Sequence, residues 1–215
     1  MGRIYLNVPF DEKDDAKRLG ARWDAQRKSW YVLENHDHDL SQFVRWGSPR
    51  PDFLLRAAQY YLAETTVQCF MKNCQSSTRV YSVLLPKSFE TWEPEQHGSD
   101  VGWWLSWDNP SFVSYAMELS ESVRNDVMQL TKNYYPDFSK TMNSIYWMNH
   151  CDSCGIKQGD WPLHDEPGGG FFPTDTVEAR RITLRHISNP FLGHGGVSQD
   201  DGELYLLMQN MSTKA

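Results

Sequence analysis

Four cysteines in two close pairs constrain the fold of this 215-residue chain more than any other feature. Cys69 and Cys74 lie in CFMKNC, and Cys151 and Cys154 lie in CDSCG. Each pair can supply half of a tetrahedral zinc site, and the glycine after Cys154 lets backbone amides turn towards the sulfurs. We therefore predict that zinc is bound by these four cysteines, in a ribbon that a long insertion splits.

The spacing of the cysteines leaves other interpretations open. Four residues separate Cys69 from Cys74, where two are commoner, and the two pairs lie far apart in the chain. Four unligated thiols, buried or free, are the simplest alternative. A further arrangement replaces one cysteine with His150 or His164, although His150 directly precedes Cys151 and is expected to point away.

The segments around the cysteines predict a mixture of strands and helices. A strand RVYSVLLP follows the first pair, a strand SIYWMNH precedes the second, and ELYLLMQN predicts a last strand. Apolar residues at helical spacing predict one helix over about 52–64 and a longer one over about 110–135. The predicted fold class is therefore α+β, with a split zinc-ribbon-like domain that carries a helical insertion.

The N-terminal residues predict a small unit made of a strand, a helix and a hairpin. Residues 4–8 alternate as a strand does, and a short helix follows Asp11 and ends at Gly20. ARW and SWYV then predict two strands joined by the turn DAQRK. Because GSPRP is a linker by composition, we expect a small domain over 1–48 packed on an α+β domain over 49–215 that holds the zinc site.

This N-terminal stretch also resembles a known bacterial domain. The residues that carry the resemblance are, in order, Leu6, Asn7, Val8, Pro9, Lys13, Ala16, Leu19, Gly20, Ala21, Trp23, Asp24, Trp30 and Tyr31. The domain has no assigned function and recurs at the ends of conjugative-plasmid primases and other DNA-processing proteins. The resemblance names no catalytic residue and implies that the chain works alongside nucleic-acid enzymes.

Basic residues cluster in the same stretch. Residues 17–31 carry five basic side chains and one acidic side chain, which make a local basic patch. The residues predicted to contact single-stranded nucleic acid are Arg22, Trp23, Arg27, Lys28 and Trp30. The two tryptophans have a second interpretation as the core of a small domain, because stacking on bases requires exposed rings.

The rest of the chain is acidic and favours a different kind of partner. Residues 51–215 carry 12 basic and 20 acidic side chains, a balance that suits a basic protein better than a polyanion. The dense tryptophans Trp103, Trp104 and Trp107 predict that at least one ring lies near the surface or in a groove, where it could anchor such a partner. The alternative prediction is an acidic inhibitor or immunity-type protein that blocks a basic enzyme surface.

One loop has the residue types of a catalytic site. His164, Asp165 and Glu166 precede a glycine-rich turn, and a hydrolase that uses His164 and Asp165 is our second alternative. The loop matches no phosphate-binding, nucleophile-elbow or metalloprotease motif, so a solvated polar loop is expected. The same reasoning assigns no role to four other histidines, which are His36, His38, His186 and His194.

The sequence contains no segment with the roughly 20 apolar residues of a membrane span, and its first ten residues lack the features of a secretory signal. We therefore expect a cytoplasmic protein that binds a protein partner and does not enter a membrane. The leading prediction is a non-enzymatic, zinc-stabilised binding protein that acts as an accessory factor in bacterial, plasmid or phage nucleic-acid transactions.

Overall fold

The computed structural model describes residues 2–34, 39–198, 203–205 and 208, most of which lie in antiparallel β-sheet. The strands are β1 (Arg3–Leu6), β2 (Arg22–Asp24), β3 (Ser29–Leu33), β4 (Ser48–Pro49), β5 (Leu55–Ala57), β6 (Tyr60–Gln68), β7 (Ser77–Leu85), β8 (Glu90–Pro94), β9 (Val101–Ser106), β10 (Ser111–Leu119), β11 (Tyr134–Ser139), β12 (Ser144–His150), β13 (Lys157–Gln158), β14 (Thr183–Ile187) and β15 (Phe191–Val197). The α-helices are α1 (Lys13–Arg18), α2 (Glu121–Leu130) and α3 (Thr176–Ala179). Two 3-10 helices cover Phe10–Glu12 and Leu40–Trp46, and a π-helix covers Trp161–Asp165. Within the described part of the chain, no helix is long and apolar enough to cross a bilayer.

The predicted α+β class, with a helical insertion in a split zinc ribbon, is wrong. Six strands, β7 to β12, run between the two cysteine pairs, and the longest helix there is α2, with ten residues. The insertion is therefore made mainly of antiparallel strands.

The predicted helix over 110–135 is present only as α2, which covers Glu121–Leu130, and a bulge in β10 explains why residues 111–119 form a strand instead. Val113, Ala116 and Leu119 are buried at intervals of three residues, which is the spacing of one helix face. In the structure the register of β10 against β15 shifts within the strand, and Tyr115 there has a φ of 47°. Because a bulge adds a residue to one strand, it breaks the two-residue period and produces this longer interval.

The predicted helix over 52–64 is wrong for a related reason. β5 ends at Ala57, the chain bends, and β6 begins at Tyr60. When two strands are separated by a short bend, their apolar residues can be spaced three and four positions apart in sequence, which is also the spacing of a helix face. The predicted last strand lies partly outside the described residues, and its described residues 203–205 are helical.

The chain divides into two compact units. The first comprises Met1–Arg56 with Ser88–Asp108, and the second comprises Ala57–Lys87 with Asn109–Ala215. The first unit thus includes β8 and β9 from later in the chain. The separate domain over 1–48 stays a prediction.

The first unit has the strand order β2-β3-β1-β9-β8-β5, and β4 also pairs with β9. Alternation along β1 puts Ile4 and Leu6 on one face, where they share a hydrophobic cluster with Phe43 and Trp46 of the second 3-10 helix. The strand, helix and hairpin that the sequence predicts are present here, with β1 ending at Leu6. Gly20 has a φ of 98° at the end of α1, a conformation that glycine adopts without steric cost.

The second unit contains one sheet with the order β14-β6-β7-β10-β15 and another with the order β11-β12-β13. Asn149 of β12 links the two sheets, because its Oδ1 accepts a hydrogen bond from Tyr81 N at 2.7 Å and its Nδ2 donates to Tyr81 O at 2.9 Å. Asn149 is buried, so these bonds are shielded from water. They fix the end of β12, which leads directly to Cys151.

Candidate functional sites: an aromatic groove and a four-cysteine cluster

Two tryptophans meet across the hairpin of β2 and β3. Trp23 lies opposite Trp30 in the strand register, and their ring centroids are 5.6 Å apart in an edge-to-face arrangement. Trp30 is half-buried and packs against the hydrophobic cluster of the first unit. Trp23 is 51% exposed, so the core interpretation does not describe this ring.

A groove of about 480 Å³ lies beside these rings. Trp23, Trp30 and Phe10 line it together with two lysines, Lys13 and Lys28. Phe10 is 77% exposed, and Lys13 Nζ lies 3.6 Å from the centroid of its ring, within cation–π distance. Sequence reasoning missed Phe10 and Lys13, although their three-residue separation at the start of a helix is a signal that could have paired them.

Strand alternation separates the two predicted arginines from the groove. Arg22 is adjacent to Trp23 on β2 and therefore faces the opposite side of the sheet. Arg27 lies on that opposite side, where its guanidinium is 4.6 Å from the ring centroid of Tyr5 and donates to Glu90 Oε1 at 2.6 Å. Of the five predicted contact residues, the groove holds Trp23, Lys28 and Trp30.

Asp24 fixes the turn that carries Lys28. Its Oδ1 accepts hydrogen bonds from the backbone N–H groups of Arg27 and Gln26, and its Oδ2 accepts one from the Tyr5 hydroxyl at 2.8 Å. These bonds, that of Arg27 first, hold the pKa of Asp24 below its usual value. Lys28 follows in the left-handed region with a φ of 52°, at the edge of the groove.

The four cysteines come together where four strands end or begin. Cys69 follows β6, Cys74 precedes β7, Cys151 follows β12 and Cys154 precedes β13. Their sulfur atoms all lie within 4.8 Å of one another. Cys69 Sγ is 3.7 Å from Cys154 Sγ, and Cys74 Sγ is 3.8 Å from Cys151 Sγ. The fold therefore joins the two half-sites that the sequence separates, and the four residues could hold a metal ion.

Backbone N–H groups point at sulfurs in both cysteine loops. Met71 N lies 3.5 Å from Cys69 Sγ, and Ser153 N lies 3.4 Å from Cys151 Sγ. Burial acts to raise the pKa of the Cys151 thiol, but hydrogen bonds from the backbone of Cys154 and Ser153, together with those from the Cys69 and Cys154 side chains, outweigh it and lower the pKa to about 6. Because the thiolate is the form that binds metal, these amides favour ligation.

Gln158 ties the two cysteine loops to each other. Its side chain is fully buried, and its Nε2 donates to Cys69 Sγ at 3.5 Å and to Ile156 O at 2.9 Å. Its Oε1 accepts from Phe70 N at 2.9 Å. One amide thus contacts a cysteine sulfur and the backbone of both loops, which fixes the orientation of Cys69.

The histidines weighed as replacement ligands lie elsewhere within the described residues. His150 Nε2 is 3.1 Å from Asp137 Oδ2, and its ring stacks on Tyr135 with centroids 3.8 Å apart. His164 stacks on Phe171 with centroids 5.1 Å apart, and burial lowers its pKa to about 3. The cluster of potential ligands consists of the four cysteines.

The three residues weighed as a catalytic site, His164, Asp165 and Glu166, have different partners in the structure. His164 packs among aromatic rings, Asp165 Oδ2 accepts from the Tyr115 hydroxyl at 2.6 Å, and Glu166 Oε1 accepts from Trp161 Nε1 at 3.1 Å. His164 therefore contacts aromatic rings while Asp165 bonds to Tyr115, so the two residues predicted to act together in a hydrolase have separate partners. His36 and His38 lie outside the described residues.

Comparison with known proteins bears on the N-terminal segment that forms the groove. Residues 3–47 match the family described as a domain of unknown function, DUF5710. Two proteins of Escherichia coli, each named DNA primase TraC, are 54% identical to this chain over 44 residues. The matched stretch is 20% of this chain and only 3% and 4% of the two primases. No solved structure matches the chain.

The DUF5710 segment contains every groove residue named above. Phe10, Lys13, Trp23, Lys28 and Trp30 all lie between residues 3 and 47. The resemblance to a small domain of plasmid primases that the sequence predicts is confirmed. The cysteine cluster lies beyond the matched residues, so the comparison says nothing about it.

Proposed function

We propose that this chain is an accessory protein of nucleic-acid processing whose DUF5710 segment binds a single strand in the aromatic groove. The observation that carries the proposal is the groove itself, in which half-exposed Trp23 lies beside Phe10 and Trp30 and two ammonium groups, of Lys13 and Lys28, lie along the same surface. Further support comes from the occurrence of the same segment in two proteins named as DNA primases.

The groove suits a single strand better than a duplex. Bases in a duplex are already stacked on each other, whereas bases of a single strand are free to stack on exposed aromatic rings. Each stacked base contributes about 1 to 3 kcal/mol, and lysines that pair with phosphates supply a salt-dependent part. Since stacking uses the face that all bases share, the expected binding is tolerant of sequence. The proposed role is binding, without a chemical step in the groove.

The second part of the proposal is that the four cysteines bind one structural zinc ion. Zinc–sulfur bonds of about 2.3 Å in a tetrahedron require sulfur–sulfur separations of about 3.8 Å. Two of the sulfur–sulfur pairs are 3.7 and 3.8 Å apart, which fits this requirement. With four thiolates the coordination sphere is complete, so the ion would stabilise the fold of the second unit and activate no water.

Fluorescence anisotropy with a labelled single-stranded oligonucleotide and its duplex tests the strand-binding role. We expect the parent to bind the single strand more tightly at low salt, and Trp23→Ala to weaken that binding about 5- to 150-fold. Because Trp23 is half exposed, the variant should melt close to the parent. Equal binding by the parent and the variant, or no binding by the parent, would overturn the proposal and favour the acidic inhibitor instead.

A further inference from the structure

A second pocket, of about 660 Å³, is lined by residues of the second unit. Lys140 and Met142 line it from the turn between β11 and β12, and Trp161 lines it from the start of the π-helix. Tyr146 and Asp160 also line it. Its volume is in the range of sites that hold a small organic ligand.

Asp160 is a carboxyl group buried without its full set of hydrogen bonds. The residue is 2% exposed, and its Oδ2 accepts a hydrogen bond from Tyr115 N at 2.6 Å. Its Oδ1 is buried and has no hydrogen-bond partner among the residues that the structure describes. Leaving such an oxygen unpaired costs free energy, so a persistent example calls for a group that donates to it.

Tyr115 is strained and is held in place by two carboxylates next to the pocket. Its φ of 47° is unusual for a residue with a large side chain. Its backbone N–H donates to Asp160, and its hydroxyl donates to Asp165 Oδ2 at 2.6 Å. Strained residues of this kind persist where their surroundings enforce them, and they concentrate at ligand sites.

The π-helix Trp161–Asp165 is a third unusual feature at the same place. Such helices are rare and occur often at functional sites. This one begins directly after Asp160, and its first residue, Trp161, is 61% exposed at the pocket. An unpaired buried carboxyl, a strained tyrosine and a π-helix therefore meet at one aromatic cavity.

We propose that this pocket binds the guanine base of a nucleotide, with the Asp160 carboxylate accepting hydrogen bonds from the base edge. An ionised carboxylate only accepts hydrogen bonds, and each of its oxygens has two lone pairs. Oδ1 is unpaired and Oδ2 keeps one lone pair beyond Tyr115 N. Guanine offers two neighbouring donors, N1–H and the N2 amino group, and matches this pair of acceptors, whereas adenine and uracil do not.

The remaining walls suit the other parts of a nucleotide. The exposed indole of Trp161 and the ring of Tyr146 offer aromatic surface for a planar base. Lys140, at the turn between β11 and β12, supplies a positive charge for a phosphate. The pocket shares no residue with the groove of the DUF5710 segment, so this inference does not depend on the proposed strand binding.

Isothermal titration calorimetry of the full chain at pH 8, above the raised pKa of Asp160, with three mononucleotides tests the inference. GMP should bind, and IMP, which lacks the N2 amino group, should bind at least about tenfold more weakly because one carboxylate oxygen is left unpaired. AMP should bind more weakly still. Similar affinities for all three, no binding of GMP up to millimolar concentration, or tighter binding of arginine amide than of GMP would each overturn the inference.

Two variants and a control identify the site. Asp160→Asn keeps an acceptor for Tyr115 N but replaces the other acceptor with a donor, so the preference for GMP over IMP should disappear. Trp161→Ala removes a largely exposed ring and should weaken GMP binding about tenfold. Glu121→Gln changes an exposed carboxylate on α2 and should bind GMP like the parent. Retention of the GMP preference in Asp160→Asn, or of full affinity in Trp161→Ala, contradicts the assignment.

Discussion

Cys69 Sγ lies 3.7 Å from Cys154 Sγ, so the first cysteine of one loop faces the last cysteine of the other. Cys74 and Cys151 make the complementary pair at 3.8 Å. The two loops therefore face each other in an antiparallel sense, which brings four sulfurs together although the loops differ in length.

The first prediction concerns the metal. Purified protein should contain about one zinc ion per chain, and removal of the ion by a chelator should lower the melting temperature, because binding free energy at such sites is folding free energy. Cys151→Ser should lose most of the zinc and melt well below the parent. Ser153→Ala changes a side chain in the same loop but leaves the backbone N–H that points at Cys151 Sγ in place. This variant should keep the zinc content and the melting temperature of the parent. Metal-free protein with an unchanged Cys151→Ser melting temperature would show that the cluster is not a zinc site.

The second prediction distinguishes the lysines from the neighbouring arginine. Replacing Lys13 and Lys28 with alanine should weaken single-strand binding and reduce the slope of log K against log salt by about 0.7 for each lost phosphate contact. Arg22→Ala, on the opposite face of the same hairpin, should leave the slope unchanged. Anisotropy titrations over a range of salt concentrations provide the measurement. If Arg22→Ala alone flattens the slope, the strand follows the other face of the sheet.

The third prediction is that Arg27 stabilises the first unit. Its guanidinium pairs with Glu90, which is 8% exposed and also pairs with Arg56 at 2.7 Å. Arg27→Ala should lower the free energy of unfolding by about 1 kcal/mol, since Glu90 keeps one partner and Arg27 is partly exposed. Urea unfolding measures this, with Arg22→Ala expected to stay within about 0.5 kcal/mol of the parent. Weaker strand binding without any loss of stability would instead make Arg27 a contact residue.

The fourth prediction follows from Asp160. Burial, reinforced by the charge of Asp165 and opposed by the Tyr115 N–H, raises the pKa of Asp160 from 3.8 to about 7. The folded state therefore binds more protons than the unfolded state between these values, so this group contributes less to stability as the pH rises from about 4 to 7. The difference is of the order of 4 kcal/mol at most.

Chemical unfolding of the parent and of Asp160→Asn at pH 5 and pH 8 tests this dependence. Asparagine does not ionise, so the variant should gain stability relative to the parent as the pH rises. A difference that is the same at both pH values would mean that Asp160 is already ionised at pH 5.

Local patterns predicted the elements whose residues behave regularly. SIYWMNH forms β12 over its full length, and RVYSVLLP lies largely within β7. The hairpin of β2 and β3 follows its turn residues, since Asp24 bonds to the backbone ahead of it. In each case contacts within a few residues, or a simple two-residue alternation, decide the structure.

Irregular strands and long-range pairing could not be predicted in the same way. The bulge at Tyr115 gives β10 the apolar spacing of a helix, and nothing local distinguishes the two. The five basic residues near the hairpin look like one patch in sequence. Strand alternation places Arg22 on the face opposite Lys28, and Arg27 forms an ion pair with Glu90, which is distant in sequence. The hydrogen bond to Asp160 comes from Tyr115 of β10, 45 residues away in the chain, so no local pattern could have predicted it.

Each close pair of sulfurs joins a cysteine of the first loop to one of the second, and this also determines when a metal ion can be captured during biosynthesis. Cys69 and Cys74 leave the ribosome while Cys151 and Cys154 have not yet been made, and 77 positions separate Cys74 from Cys151. At roughly 5 to 20 residues per second, the first half-site waits about 4 to 15 seconds for its partner. During that interval it offers two thiols to any passing oxidant or metal, and the second unit can close around an ion only after Cys154 has been translated.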